Sequence, residues 1–141
     1  MSRSKGRPYD LELCDTIAEE GHDRLRPLSY PSTSVFVFCF SLGDRRSLRR
    51  LVDHWATEVE HFAPCTRWVV VGIWSFHFAK YGGNEEADVS PESVQRKLTL
   101  LERKNGKRVE YVACDAKDRE SLQDAIDSVS NLPESVKSGN G

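Results

Sequence analysis

Residues 34–40 read SVFVFCF, seven in a row with no charge, no glycine and no proline. A half-solvated strand alternates apolar and polar residues. An unbroken apolar run instead predicts a strand covered on both faces, as in a parallel sheet between helical layers. Two further apolar runs come later in the chain, residues 67–72 (RWVVVG) and residues 108–114 (RVEYVAC). Helical periodicity separates them. Over residues 45–62, Leu48, Leu51, Val52, Trp55, Val59 and Phe62 form one apolar stripe, with Asp44 placed to cap the start and Pro64 to stop the helix. Ser90-Pro91-Glu92 opens a second helix, carried by Val94, Lys97, Leu98 and Leu101 until Asn105-Gly106 breaks it. Asp118 opens a third, with Leu122, Ala125, Ile126, Val129 and Leu132 on one stripe. Strands alternating with helices of this length predict βα units and an α/β fold with a mostly parallel sheet.

Upstream of this repeat the pattern is weaker. Residues 1–8 read as a disordered basic lead-in broken by Gly6 and Pro8. Residues 9–14 read as a strand with Leu11 and Leu13 on one face, and residues 15–31 as a long loop with a helical turn near residues 23–29. Residues 80–88, with Gly82-Gly83, form a polar loop, and residues 133–141 a disordered tail. One domain, residues 9–132, is expected, with enough chain to bury a core.

Hydrophobic residues make up 38% of the 141 and charged residues 30%, with a formal net charge of −2. That balance gives no general attraction to nucleic acid or to an anionic membrane. No apolar run approaches the roughly 18 residues of a membrane span. The first ten residues do not resemble a secretory signal, and the last ones lack the cysteine of a prenyl anchor. Cys14, Cys39, Cys65 and Cys114 match no metal spacing; reduced thiols of a cytoplasmic protein are expected, with Cys14, Cys39 and Cys114 in or beside buried strands. His22, His54, His61 and His77 are not at ligand spacing and are expected on the surface. Arg45, Arg46, Arg49 and Arg50 put like charges four apart on a helix start, a solvated face or a patch for anionic lipid, acidic protein or nucleic acid, with no interleaved aromatics for base stacking. Trp74, Phe76 and Phe78 either extend a strand inward or form an exposed apolar patch.

The most specific order of residues lies in the long loop. Asp23 to Pro31 reads DRLRPLSYP and is soon followed by TSVFVFCFSL. With the strands placed, this resembles a Rho/Rac-like small GTPase over roughly residues 9–132. The resemblance implies a three-layer P-loop NTPase (small G-protein) fold, with GTP or GDP and Mg²⁺ as cofactors. It places Asp15-Thr16-Ile17-Ala18-Glu19-Glu20 at the family's switch II pattern, D-T-A-G-Q-E. Asp15 would then hold a metal-bound water. Thr16 and Ala18 would lie beside the phosphates, and Glu19 would stand where the catalytic glutamine belongs. Ala113-Cys114-Asp115-Ala116-Lys117 matches the loop under the base, leaving the amides of Ala116 and Lys117 as residual contacts. Asp23, Arg24, Leu25, Arg26, Pro27 and Leu28 match a surface used for exchange factors, dissociation inhibitors and effectors.

The departures from that family are chemical. No G-x-x-x-x-G-K-[ST] phosphate loop occurs, and Lys5-Gly6-Arg7 lacks its spacing. Switch I has no counterpart either, so the chain reads as N-terminally truncated and the fold as missing its first strands. In the family's strand order, 2-3-1-4-5-6, a missing first strand leaves residues 9–14 and 34–40 with bare edges unless the sheet closes the gap. Ala18 replaces a glycine and adds a Cβ. Glu19 can only accept hydrogen bonds where glutamine also donates, and its charge repels phosphate. Ile73, Trp74, Ser75 and Phe76 stand where the guanine-reading N/T-K-x-D belongs, with no acid for the base. The expectation is a Rho-family-like signalling protein with impaired or absent GTP binding and hydrolysis. A nucleotide-independent decoy for Rho regulators or effectors, and a fragment of a working GTPase, are the other two readings.

Overall fold

The structure is a computed structural model that describes residues 2–4, 7–17, 21–74 and 89–130, with side chains from residue 10 onward. Three parallel strands make its centre: β3 (Val35–Ser41), β4 (Arg67–Trp74) and β5 (Val109–Asp115), in that spatial order. The register runs from Val35 opposite Arg67 to Ser41 opposite Ile73, and from Trp68 opposite Val109 to Trp74 opposite Asp115. All three are the strands expected from their apolar runs.

Helices cover both faces. On one face, Phe38, Phe40, Trp68, Val70 and Val109 pack against Leu48, Leu51, Ala56 and Val59 of the helical stretch after β3. Val94, Leu98 and Leu101 of α3 (Pro91–Asn105) complete that core. On the other, Val69, Val71 and Cys114 meet Ala125, with Leu122 and Val129 beside it, on α4 (Arg119–Ser130). Strand periodicity explains the division: alternate residues of β4 point to opposite layers. Fully burying one such Val, Leu or Phe contributes roughly 1.5–3 kcal/mol. The result is the expected α/β/α layering.

Local chemistry sets the helix ends. The Asp44 carboxylate accepts from the Arg46 N–H at 2.9 Å at the start of α1 (Arg45–Arg50). Ser90 caps α3 by accepting from Ser93 N–H, Pro91 takes the first turn, and Gly106 closes it at φ +63°, its N–H donating to the Glu102 carbonyl at 2.8 Å. Asp118 accepts from Glu120 N–H at the start of α4.

The expected helix over residues 45–62 is present but is not a uniform α-helix. A π-helical turn, Leu51–Trp55, separates α1 from α2 (Ala56–Phe62), and Ala56 N–H donates to the Leu51 carbonyl five residues back. The wider turn rotates α2 relative to the α-helical stripe. Ala56 is thereby buried, while Phe62, expected on the stripe, is exposed.

The N-terminal reading is corrected by the structure. Within the expected disordered lead-in, β1 (Ser2–Ser4) and β2 (Arg7–Tyr9) pair antiparallel, and β1 lies against α4. Residues 10–17, which include residues 10–14 of the expected first strand, are irregular and exposed; Leu13 is 72% accessible. Two leucines on one face do not hold a strand that, among the described residues, has no neighbour to bond to. The expectations for Ala18, Glu19, Glu20, Ser75–Phe78, the loop at residues 80–88, Leu132 and the tail at residues 133–141 lie outside the described residues. No helix among the described residues is long and apolar enough to cross a membrane.

Cysteine burial is also corrected. Cys114 is buried, but Cys14 and Cys39 are exposed alongside Cys65, all four as free thiols. Among the described residues, Cys39 lies on the edge strand β3.

Candidate functional site

In open α/β sheets ligand chemistry collects at the carboxyl ends of the strands. Here those ends are Ser41, Trp74 and Asp115, with the exposed residues Asp15, Thr16 and Ile17 in the irregular segment upstream. The turn after β5 is internally bonded. Ala116 N–H donates to the Trp74 carbonyl at 3.1 Å, and Lys117 N–H donates to the Asp115 carboxylate at 2.9 Å. Those are the two amides that the sequence offered to a base, and both have protein acceptors. Trp74 is 42% accessible, so it leaves the core where an inward strand extension was one expectation. Among the described residues, the two amides at this end are engaged by the protein itself.

The better-built constellation lies in the loop between Gly21 and Pro31. Leu25 and Arg26 N–H groups both donate to the His22 carbonyl at 3.0 Å, closing a turn. A 3₁₀ turn, Arg26–Ser29, comes next with Pro27 at its start, and Tyr30 N–H returns to the Pro27 carbonyl. This turn drives Arg26 inward, where it is only 5% accessible. Each of its three guanidinium nitrogens donates a hydrogen bond. Nε donates to the Ile17 carbonyl at 2.7 Å, Nη1 to Glu58 Oε1 at 2.8 Å and Nη2 to Asp23 Oδ1 at 2.9 Å. Its flat face lies over the Trp55 ring, 4.4 Å from the centroid. Burial alone would lower the Arg26 pKa, but Asp23 and Glu58 outweigh it and hold the pKa above the ordinary value. Glu58 reaches a second buried partner through its other oxygen, which accepts from the Tyr30 hydroxyl. Burial, then Glu58, pushes the Tyr30 phenol well above its ordinary value. Tyr30 also packs edge-on against Phe36, 4.9 Å between centroids.

Glu58 and Trp55 come from α2 and the π-helical turn, about 30 residues from the loop. Helical spacing places both on the same side, and the tertiary fold brings the loop to them. Asp23, His54 and Glu58 have potential ligand atoms within 4.8 Å of one another, although histidine spacing gave no hint of it. Arg26 already bonds both of those carboxylates. The cluster therefore holds a cation supplied by the chain itself.

Of the six residues proposed as a partner surface, Arg26 is an internal strut, not a contact for another molecule. Pro27 is half-buried and Asp23 is tied to Arg26 while remaining exposed. Arg24, Leu25 and Leu28 face outward, Leu25 at 59% and Leu28 at 74%. The sequence order D-R-L-R flagged this loop but could not divide it, because the two arginines differ only in which way the turn points them. The protein-family model described as the Ras family matches residues 1–133 of the chain.

Proposed function

The chain belongs to the Ras family of small GTPases, and from that premise we propose that it is a Rho/Rac-like member of small GTPase signalling that works as a nucleotide-independent binder of regulators or effectors. The observation carrying this reading is the contrast between its two ends. The base-side turn spends its Ala116 and Lys117 amides on Trp74 and Asp115. The DRLRPLSYP loop is braced by a buried arginine and displays Arg24, Leu25 and Leu28. GTP hydrolysis needs phosphates held by a P-loop, a bound Mg²⁺ and an oriented water. The 141 residues contain no P-loop, and Glu19 stands in place of the water-orienting glutamine. Asp15 could meet Mg²⁺ through water only if a phosphate were held nearby.

The partner class is one that presents an apolar pocket with an acidic rim, to receive two leucines and an arginine. Exchange factors, dissociation inhibitors and effector domains of the Rho type are the candidates. Titration with fluorescent GDP and GTP analogues, with and without Mg²⁺, tests the nucleotide half. No saturable binding is expected, and guanine-selective binding at micromolar or tighter affinity overturns it. Capture of Rho exchange factors by the chain tests the other half, with the double variant Arg24→Ala, Leu25→Ala expected to lose the signal. Unchanged capture rejects the surface.

A further inference from the structure

The last turn of α3 ends on Asn105-Gly106. Glycine has no Cβ, so a backbone nitrogen that follows asparagine is least shielded when it belongs to glycine. That nitrogen can attack the asparagine side chain once the backbone brings the two together. Here two hydrogen bonds hold them apart. Asn105 Nδ2 donates to the Leu101 carbonyl at 2.9 Å, and Gly106 N–H donates to the Glu102 carbonyl at 2.8 Å. Asn105 is also helical, and helical ψ turns the following nitrogen away from its side chain. Both bonds belong to the final turn of a helix, where opening costs least.

The surroundings of the pair favour reaction once the turn opens. Gly106 is exposed, and a Cβ built on it would meet nothing within 4 Å. Arg103, Lys104, Lys107 and Arg108 all stand within three residues of it in the chain. Arg103, Lys107 and Arg108 line one open depression with Glu102 and Gly106. Lys107 is committed to Glu60 at 2.8 Å and to the Pro64 carbonyl at 2.6 Å. Arg103, Lys104 and Arg108 are exposed, and among the described residues none of the three has a partner. Glu102, the only acid among them, uses Oε1 to accept from the Val109 N–H at 2.8 Å. The helix dipole accounts for cations in the last turn, but Arg108 lies past the cap. Unpaired positive charge beside an ionisable group favours its negative form, here the deprotonated amide that acts as nucleophile.

We propose that Asn105 is a site of spontaneous deamidation, promoted by these cations and restrained by the end of α3. The deprotonated Gly106 nitrogen attacks Asn105 Cγ. The new N–Cγ bond closes a succinimide ring. The Cγ–Nδ2 bond breaks, and the side-chain nitrogen takes up the proton and leaves as ammonia. Water then adds to either ring carbonyl and breaks its bond to the ring nitrogen, which leaves aspartate or isoaspartate. Water is the only co-reactant and nothing is oxidised. The product is a carboxylate at the negative end of the helix dipole, with no N–H to offer the Leu101 carbonyl. One of the two bonds that slowed the reaction is thereby lost for good. The fold carries a slow, one-way change of charge at the end of α3, independent of nucleotide and of the surface assigned above.

Incubation of the 141-residue chain at mildly alkaline pH, folded and in parallel unfolded in concentrated urea, tests this. Peptide mapping after an acid quench reads aspartate and isoaspartate at position 105. Conversion should be several-fold slower in the folded chain than in the unfolded one. Urea just below the unfolding midpoint should speed it while the far-ultraviolet dichroism is still native. Arg103→Gln combined with Lys104→Gln should slow position 105 several-fold in the unfolded chain, where charge acts without the helix. Asn140-Gly141, the other such pair in the sequence, should keep its rate in that variant. Three results overturn the proposal: Asn105 intact below the midpoint after the unfolded chain has converted, a folded chain as fast as the unfolded one, or a position 105 indifferent to the two substitutions.

Discussion

Arg26 and Glu58, 32 residues apart in the chain, meet at 2.8 Å, with 2% and 10% of their side chains accessible. Removing one partner of such a buried pair leaves an uncompensated charge, which costs about 3–5 kcal/mol. Glu58→Ala should therefore lower the urea midpoint sharply, because it frees both the Arg26 guanidinium and the Tyr30 hydroxyl. Arg26→Lys should rescue little. One ammonium cannot reach Ile17, Asp23 and Glu58 together and lie flat on Trp55. Equilibrium unfolding of the two variants checks both outcomes.

Alkaline pH should loosen the same loop. Burial and Glu58 raise the Tyr30 phenol above its ordinary value, and burial raises Tyr111 as well. A folded-state pKa above the unfolded one stabilises the fold while the group is protonated in both states. That contribution declines as pH climbs from about 10, the ordinary tyrosine value, toward the folded pKa. Stability measured from neutral to strongly alkaline pH should fall over that window. Tyr30→Phe should flatten part of the fall, at a loss of about 1 kcal/mol near neutrality from the missing hydrogen bond.

Gly72 is held bare by its neighbours. A Cβ there would come 2.7 Å from the Tyr111 hydroxyl, 3.0 Å from Phe40 Cζ and 3.1 Å from Leu42 Cδ2. Tyr111 lies across this gap, stacked on Phe40 at 6.2 Å between centroids. Gly72→Ala should destabilise by about 1–3 kcal/mol, the usual range for overpacking. Adding Tyr111→Phe removes the closest atom and should recover part of it, a non-additivity that thermal melts of the single and double variants can read.

Thiol reactivity should sort the cysteines by layer. Cys14 and Cys65 are exposed and should react quickly with maleimide in the native state. Cys114 is buried under α4 and should react only on unfolding. Burial pushes the Cys39 thiol up despite its surface position, so its rate should lag behind Cys14 at neutral pH. Its rate should keep rising as the pH is taken further into the alkaline range. Peptide mapping after timed quenching distinguishes the four sites.

The three central strands were legible because uninterrupted apolar runs have one cheap solution, burial between two layers. The capped helices at Ser90 and Asp118 were legible for a similar reason: the donors a helix start leaves unmet are satisfied by neighbours in sequence. Phe62 was misplaced because a π-helical turn obeys packing at Leu51 and Ala56, not the 3.6-residue period.

For the loop of Asp23 to Pro31, sequence alone determined that it is unusual and what family it resembles. It could not tell Arg24 from Arg26. The fold decided that, because an arginine is stably buried only where its guanidinium nitrogens and its flat face find partners. Those partners are Ile17 and Asp23 from the same stretch, and Glu58 and Trp55, which are near in space and far in the chain. The same distinction explains residues 10–14. Their two leucines permitted a strand, but a strand is stabilised by hydrogen bonds to a neighbour, and that neighbour is a property of the tertiary structure.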